Sequence, residues 1–233
     1  MMRILVINPN STAAMTERIG AAAASVAAPG TEVVAVNPKN APRSIEGHHD
    51  EAVCVPPLLE EIRKGEAAGF DGYVVACFDD PGLGACREVA RGPVVGICEA
   101  AMHAASMIAT GFSVVTTLPR AMPIVEELAL RYGMERRCRR VHAANIPVLA
   151  LEEPGDNARH KVREAVMRAL AEDGTEAVIL GCAGMADLAA WLGEETGVPV
   201  IDGVVAGVKL VEALVGMGLA TSKVGAYAAP LPK

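Results

Sequence analysis

Short apolar runs alternate with longer amphipathic stretches from one end of the chain to the other. Positions 3–8, 31–36, 72–76, 93–97, 112–116, 139–142, 177–180 and 199–202 are rich in Val, Ile, Leu or Ala, and most are bounded by Gly, Pro or Asn. They predict short, largely buried strands. Between them, 14–27, 52–65, 84–91, 99–109, 121–132, 158–171, 187–196 and 203–217 predict helices. Punctuation supports these limits: Ser11-Thr12 precede the first helix, Pro29-Gly30 close it, and Gly133 stops the helix over 121–132. The stretch 37–50, with two prolines, a glycine and His48-His49, predicts an irregular connection that could lie over a site. The tail from 221 to 233 is polar, contains proline, and is expected to wrap back over the body.

Strict strand–helix alternation with short connections calls for parallel sheets wound by right-handed crossovers, hence an α/β protein. Sites in such sheets gather at the C-terminal strand ends. Four segments fall there: Asn8 to Ser11, Cys77, Thr116-Thr117 and Cys182.

Composition narrows the class. Of 233 residues 52% are hydrophobic but only 3% aromatic, so the core is aliphatic, as buried parallel strands require. A net charge of −7 argues against nucleic-acid or anionic-membrane partners. The dense basic stretch Arg136-Arg137-Cys138-Arg139-Arg140 reads as a solvated helix end or the loop after it, or as a subunit contact. The N-terminus is too soon polar for a signal peptide, and no apolar run approaches a membrane span. The six cysteines form no C-x-x-C pair and no metal-type cluster with the five histidines, so reduced thiols in a cytoplasmic protein are expected.

The candidate chemistry lies in two of those thiols. Cys77 ends the apolar run Gly72-Tyr73-Val74-Val75-Ala76 and precedes Phe78-Asp79-Asp80-Pro81-Gly82; Cys182 ends Ala177-Val178-Ile179-Leu180-Gly181 and precedes Ala183-Gly184-Met185. Taken singly, a cysteine after a buried strand is a small core residue. Two in matching places suggest that one removes a proton and the other returns it. Backbone N–H groups after each would favour the thiolate, bringing an ordinary value near ~8.5 toward working pH. Cys54, Cys86, Cys98 and Cys138 read as structural. Asn8, Asn10 and Ser11 read equally as helix caps or as groups holding a polar substrate, and Thr116 and Thr117 as strand formers or substrate contacts. Asp79 and Asp80 suit a turn, or an orienting or protonation role beside Cys77. No phosphate-binding glycine motif is present. A cysteine hydrolase would need a histidine base, which His142 or His160 could supply, while His103 lies on an apolar helix face.

The segments Ile7-Asn8-Pro9-Asn10-Ser11-Thr12, Ser44-Ile45-Glu46-Gly47, Ala76-Cys77-Phe78-Asp79-Asp80-Pro81-Gly82-Leu83, Gly96-Ile97-Cys98-Glu99-Ala100-Ala101, Val115-Thr116-Thr117-Leu118-Pro119-Arg120, Leu180-Gly181-Cys182-Ala183-Gly184-Met185 and Pro199-Val200-Ile201-Asp202-Gly203-Val204 carry a resemblance over nearly the whole length. The chain resembles the hydantoin racemases of the aspartate/glutamate racemase superfamily, and allantoin racemases almost as closely. The resemblance implies two pseudo-symmetric Rossmann-like lobes with the site in the cleft between them. It implies a racemase without cofactor or metal, a small-molecule substrate and a homo-oligomer. The family's two catalytic cysteines fall on Cys77 and Cys182, and Gly181, Ala183 and Gly184 belong to the second motif. Phe78 and Ile45 are expected as walls for the C5 substituent. The lobes are expected over 1–97 joined by 204–233, and over 98–203. An aspartate- or glutamate-type racemase would want a cationic carboxylate pocket, for which no strand-end arginine stands out; a non-catalytic small-molecule sensor is the rival outside enzymes.

Overall fold

The computed structural model of the protein describes residues 1–153 and 155–231. The first half runs β1 (Met2–Ile7), α1 (Ala13–Val26), β2 (Thr31–Val36), α2 (His48–Ala68), β3 (Gly72–Val75), α3 (Leu83–Val89), β4 (Val94–Gly96) and α4 (Ile97–Ile108). The second repeats the order: β5 (Phe112–Thr116), α5 (Met122–Arg131), β6 (Cys138–Ala143), α6 (Asn157–Asp173), β7 (Ala177–Gly181), α7 (Ala189–Thr196), β8 (Val200–Asp202) and α8 (Gly203–Gly216). Each half makes one four-stranded sheet, ordered β2-β1-β3-β4 and β6-β5-β7-β8, and every described ladder is parallel. This is the α/β architecture the alternation predicts, built twice on one plan.

Successive strand residues point to opposite faces, and the sheets use both. Ile4, Val6 and Val74 of one sheet share a core with Phe112, Val114 and Ile179 of the other. Their neighbours Leu5, Ile7, Tyr73 and Val75 face a second core. Val115, Val178 and Leu180 face a third with Val162, Ala165 and Val166 of α6. Burial on both faces explains why these strands read as continuous apolar runs. Each large aliphatic side chain removed from water contributes about 1.5–3 kcal/mol.

The last helix of each half joins the two sheets. α8 packs over β1, β3 and β4, while α4 packs beside it and reaches β7 and β8. Small residues permit the approach: a Cβ on Gly72 would lie 2.4 Å from Val211, and one on Gly207 3.0 Å from Val74.

Three expectations needed correction. The irregular stretch ends sooner, because α2 starts at His48 and carries Pro56 and Pro57 inside it. The carbonyls those prolines leave unbonded belong to Ala52 and Val53, which are exposed to water. The basic stretch starts, at Arg136 and Arg137, in the turn after α5, as one alternative had it, but Arg139 and Arg140 lie in β6, a sheet edge, with Arg140 paired to Glu172 at 3.1 Å. A 3-10 turn over Ala183–Leu188 takes the place of the first residues of the helix expected from 187. The tail does fold back as expected: Thr221 donates its backbone N–H to Arg91 at 3.0 Å and its hydroxyl to Gly92 at 2.6 Å.

Candidate active site

β3 and β7 hold the same place in their sheets, and each runs straight into a cysteine turn. The two turns match bond for bond. Asp80 N–H closes on the Cys77 carbonyl at 3.0 Å, and Met185 N–H closes on the Cys182 carbonyl at 3.0 Å. In each, the N–H two residues on, from Asp79 or Gly184, points at the cysteine sulfur. Asp80 fixes the first turn. Its backbone takes φ of 44°, and its carboxylate accepts from Cys98 N–H at 3.2 Å, Glu99 N–H at 2.9 Å and the Tyr132 hydroxyl at 2.7 Å. It therefore caps α4 from outside the helix, where Gly96 offers no side chain; a Cβ there would meet the Asp80 carboxylate.

Both thiols line one cavity at the C-terminal strand ends. Asn10, Ile45, Phe78, Asp79, Thr116, Thr117, Gly181 and Ala183 line it with them, as do Ala76, Met15, Ala121 and Val148, which sequence reasoning had missed. Three candidates stand outside. Asn8, almost wholly buried, donates to Asn10 Oδ1 and Thr16 Oγ1, both at 3.0 Å, and so braces the asparagine turn. Ser11 binds the Pro42 carbonyl through its N–H at 2.8 Å. Gly184 serves through its N–H to Cys182 and lets Leu151 pack within about 3.0 Å of where its Cβ would be. The missed residues come from distant elements: Met15 from α1, and Val148 from the loop after β6. A methionine one turn beyond the asparagine motif was the only local hint.

Ile45 and Val148 line the cavity from loops of opposite halves. The Val148 loop is held by Arg18, which donates to the Leu151 carbonyl at 2.7 Å and pairs with Glu152.

The electrostatics reverse one expectation. Burial raises the Cys77 thiol well above its ordinary value, the Asp79 charge adds to the rise, and the Asp79 N–H only partly offsets it. Burial likewise pushes Cys182 up to about 12 against the Gly184 N–H. Both thiols therefore rest protonated. No cationic side chain lines the cavity to favour a thiolate; its one carboxyl, Asp79, is itself pushed up to about 7 by burial and by Glu51, with His48 opposing. None of the histidines lines the cavity either. His48 and His49 open α2 with exposed rings, and His142 is tied to Asp173 at 2.6 Å. The cysteine-hydrolase alternative thus lacks its base. Among the described residues no group of His, Cys, Asp and Glu could hold a metal ion, and no helix is long and apolar enough to cross a membrane.

A family model described as Asp/Glu/Hydantoin racemase matches residues 4–211. The chain is 57% identical over 229 residues to a hydantoin racemase of Rhizobium meliloti, covering 98% of this chain and 95% of that protein. An allantoin racemase from Klebsiella pneumoniae is also 57% identical and superposes with a TM-score of 0.99, covering 100% of this chain and 95% of its own. The allantoin racemase of Pseudomonas fluorescens is 39% identical, with a TM-score of 0.95 over 100% of this chain and 98% of its own.

Proposed function

The chain belongs to the Asp/Glu/hydantoin racemase family, and from that premise we propose that it racemises 5-monosubstituted hydantoins by proton transfer between two thiols. The observation that carries the reading is the pair of matched turns that deliver Cys77 and Cys182 to one cavity. The C5–H of a hydantoin is acidified by the adjacent carbonyl, which spreads the carbanion as an enolate. One cysteine, as thiolate, takes that proton on one face. The other, as thiol, returns a proton to C5 on the opposite face, and the mirror image results. The roles exchange for the other enantiomer, so the enzyme finishes each turnover with one thiolate and one thiol.

The raised thiols shape this reaction. A thiolate costly to form in the free protein is a strong base once formed, which suits a weakly acidic carbon. The Asp79 and Gly184 N–H groups stabilise that thiolate, while the Thr117 hydroxyl, which no described residue bonds, supplies a polar contact to the ring. Phe78 and Ile45 serve as apolar walls for the substituent. Both proton transfers use the protein's own groups, so the scheme calls for no cofactor.

Allantoin is the second reading, because a named allantoin racemase is as similar as a named hydantoin racemase. Allantoin is itself a 5-substituted hydantoin, and the same thiols would act at its C5. Residues 1–97 with 204–233, and 98–203, are proposed as the two lobes, with α8 covering the first sheet in support. A cytoplasmic place is proposed on the six free thiols. A homo-oligomer is proposed on exposed Met107 and Leu219, which edge an apolar groove of about 490 Å³.

The test is to follow optical signal and C5 deuterium together while a single-enantiomer 5-substituted hydantoin is incubated in D₂O, with allantoin alongside. Racemisation with deuterium uptake is expected, and the relative rates choose the substrate. Retention of configuration in both would overturn the reading.

A further inference from the structure

The polar groups around the cavity differ in what they have left to offer a ligand. Asn10 has spent most of its capacity: its Oδ1 accepts from Asn8 at 3.0 Å and from Thr12 N–H at 2.9 Å, and its Nδ2 lies 3.3 Å from the Met15 sulfur. The Thr116 hydroxyl donates to the Gly181 carbonyl at 3.3 Å. The Thr117 hydroxyl, which no described residue bonds, is one exception, and Asp79 is the other and the charged one. Asp79 is 8% exposed, it lines the cavity, and no described residue donates a hydrogen bond to its carboxylate. Buried carboxylates are ordinarily satisfied. One that lines a cavity and takes no hydrogen bond from the protein leaves a place where a ligand can supply the donor.

The sign of the charge then sorts the ligands. No lysine, arginine or histidine lines the cavity. Above about pH 7, where Asp79 is ionised, a free α-carboxylate entering the cavity would face that charge with no cationic side chain in the lining to offset it, in a setting where water screens little. A cyclic ureide brings the opposite complement: it is neutral and presents ring N–H donors.

We propose that Asp79 accepts a hydrogen bond from a ring N–H of the substrate, and that this contact selects neutral cyclic ureides over α-carboxylate substrates. The inference rests on the hydantoin reading above and adds the residue that reads the ring. Asp79 acts here as a specificity residue, separate from the two thiols that move the proton. Its neighbour Asp80 has no such capacity, because its carboxylate is filled by Cys98, Glu99 and Tyr132.

Achiral probes test this without turnover. Dissociation constants of hydantoin, 1-methylhydantoin and 3-methylhydantoin would be measured by calorimetry on the wild-type protein and on Asp79→Ala and Asp79→Asn. A charge-assisted hydrogen bond contributes about 1.5–3 kcal/mol, so wild type should lose about tenfold or more on one of the two methylations. In Asp79→Ala that penalty should largely vanish, and in Asp79→Asn it should shrink. Equal penalties in wild type and variants, or none in wild type, would overturn the role of Asp79. N-Carbamoylglycine, the ring-opened acid, supplies an arm that needs no variant. Above about pH 7, where Asp79 is charged, it should not bind wild type where hydantoin saturates, and binding there as tight as hydantoin would overturn the charge selection. Failure of the proposed function looks different: there, wild type neither binds hydantoin nor racemises its 5-substituted derivatives.

Discussion

Glu46 accepts a hydrogen bond from the backbone N–H of Val148 at 2.8 Å, joining a loop of the first half to a loop of the second. The residues at this bond, Ile45 beside Glu46 and Val148 itself, both line the cysteine cavity. The link thus ties together the two loops that carry them. Glu46→Ala should release it at a cost of about 1.5–3 kcal/mol, the value of a hydrogen bond to a charged group. The expected outcome is a raised KM with a lowered melting temperature, and Glu46→Gln, which keeps an acceptor, should recover much of both. Unchanged KM in Glu46→Ala would show that this tie does not hold the cavity lining in place.

Cys77→Ser and Cys182→Ser should each fold, since a hydroxyl replaces a thiol of similar size in a turn held by backbone bonds. Each should lose racemisation by about 10²–10⁴-fold, the usual contribution of a positioned acid or base. Near wild-type turnover in either variant would remove that cysteine from the mechanism. Circular dichroism of both proteins checks the fold.

Asp79 gives stability an unusual slope with pH. Its folded value is about 7 against an ordinary 3.8, chiefly through burial, with Glu51 adding and His48 opposing. From about pH 4 to about pH 7 the folded protein therefore holds a proton that the unfolded chain has released. The stabilisation is full below about pH 4 and is lost as pH rises through 7. Asp80 and Asp202, raised to about 7 and about 6, act in the same direction. Melting temperature should fall between pH 5 and pH 8, and Asp79→Asn should flatten part of that fall. Identical slopes would place the titration elsewhere.

Thiol labelling separates the cysteines by access. Cys54, Cys86 and Cys98 are buried, while Cys77, Cys138 and Cys182 are partly exposed. Hydantoin should protect Cys77 and Cys182 from alkylation and leave Cys138 reacting as before. With the thiols raised, labelling of the cavity pair should also quicken steadily above neutral pH. A peptide map in which hydantoin shields Cys138 and spares the other two would contradict the site.

Much of this molecule was legible from the chain. Apolar runs ending in Cys77 and Cys182 located β3, β7 and the cavity between them, because period and punctuation are local properties. What escaped depends on distant neighbours. Val148 reaches the cavity only because the loop after β6 is pinned by Arg18 and Glu46, and neither partner is near it in sequence. Asp80 looked like a turn residue, yet caps a helix that starts well after it. The thiols were expected to ionise readily on the strength of nearby N–H groups. Those groups are present, but burial and the Asp79 charge outweigh them, and burial is set by the whole packed core.

The position of α8 has a consequence for how the chain is made. This helix supplies the cover for β1 and β3, which are synthesised well before it. Until it arrives, Val74 and its neighbours face solvent, and the nascent first half carries an open hydrophobic sheet. Contacts so distant in sequence slow folding, since a long loop must close before they count. The N-terminal half synthesised alone should therefore be prone to aggregate, and supplying the missing helix as a peptide should suppress that aggregation. The two halves look like a duplicated unit, yet neither is built to mature without the other.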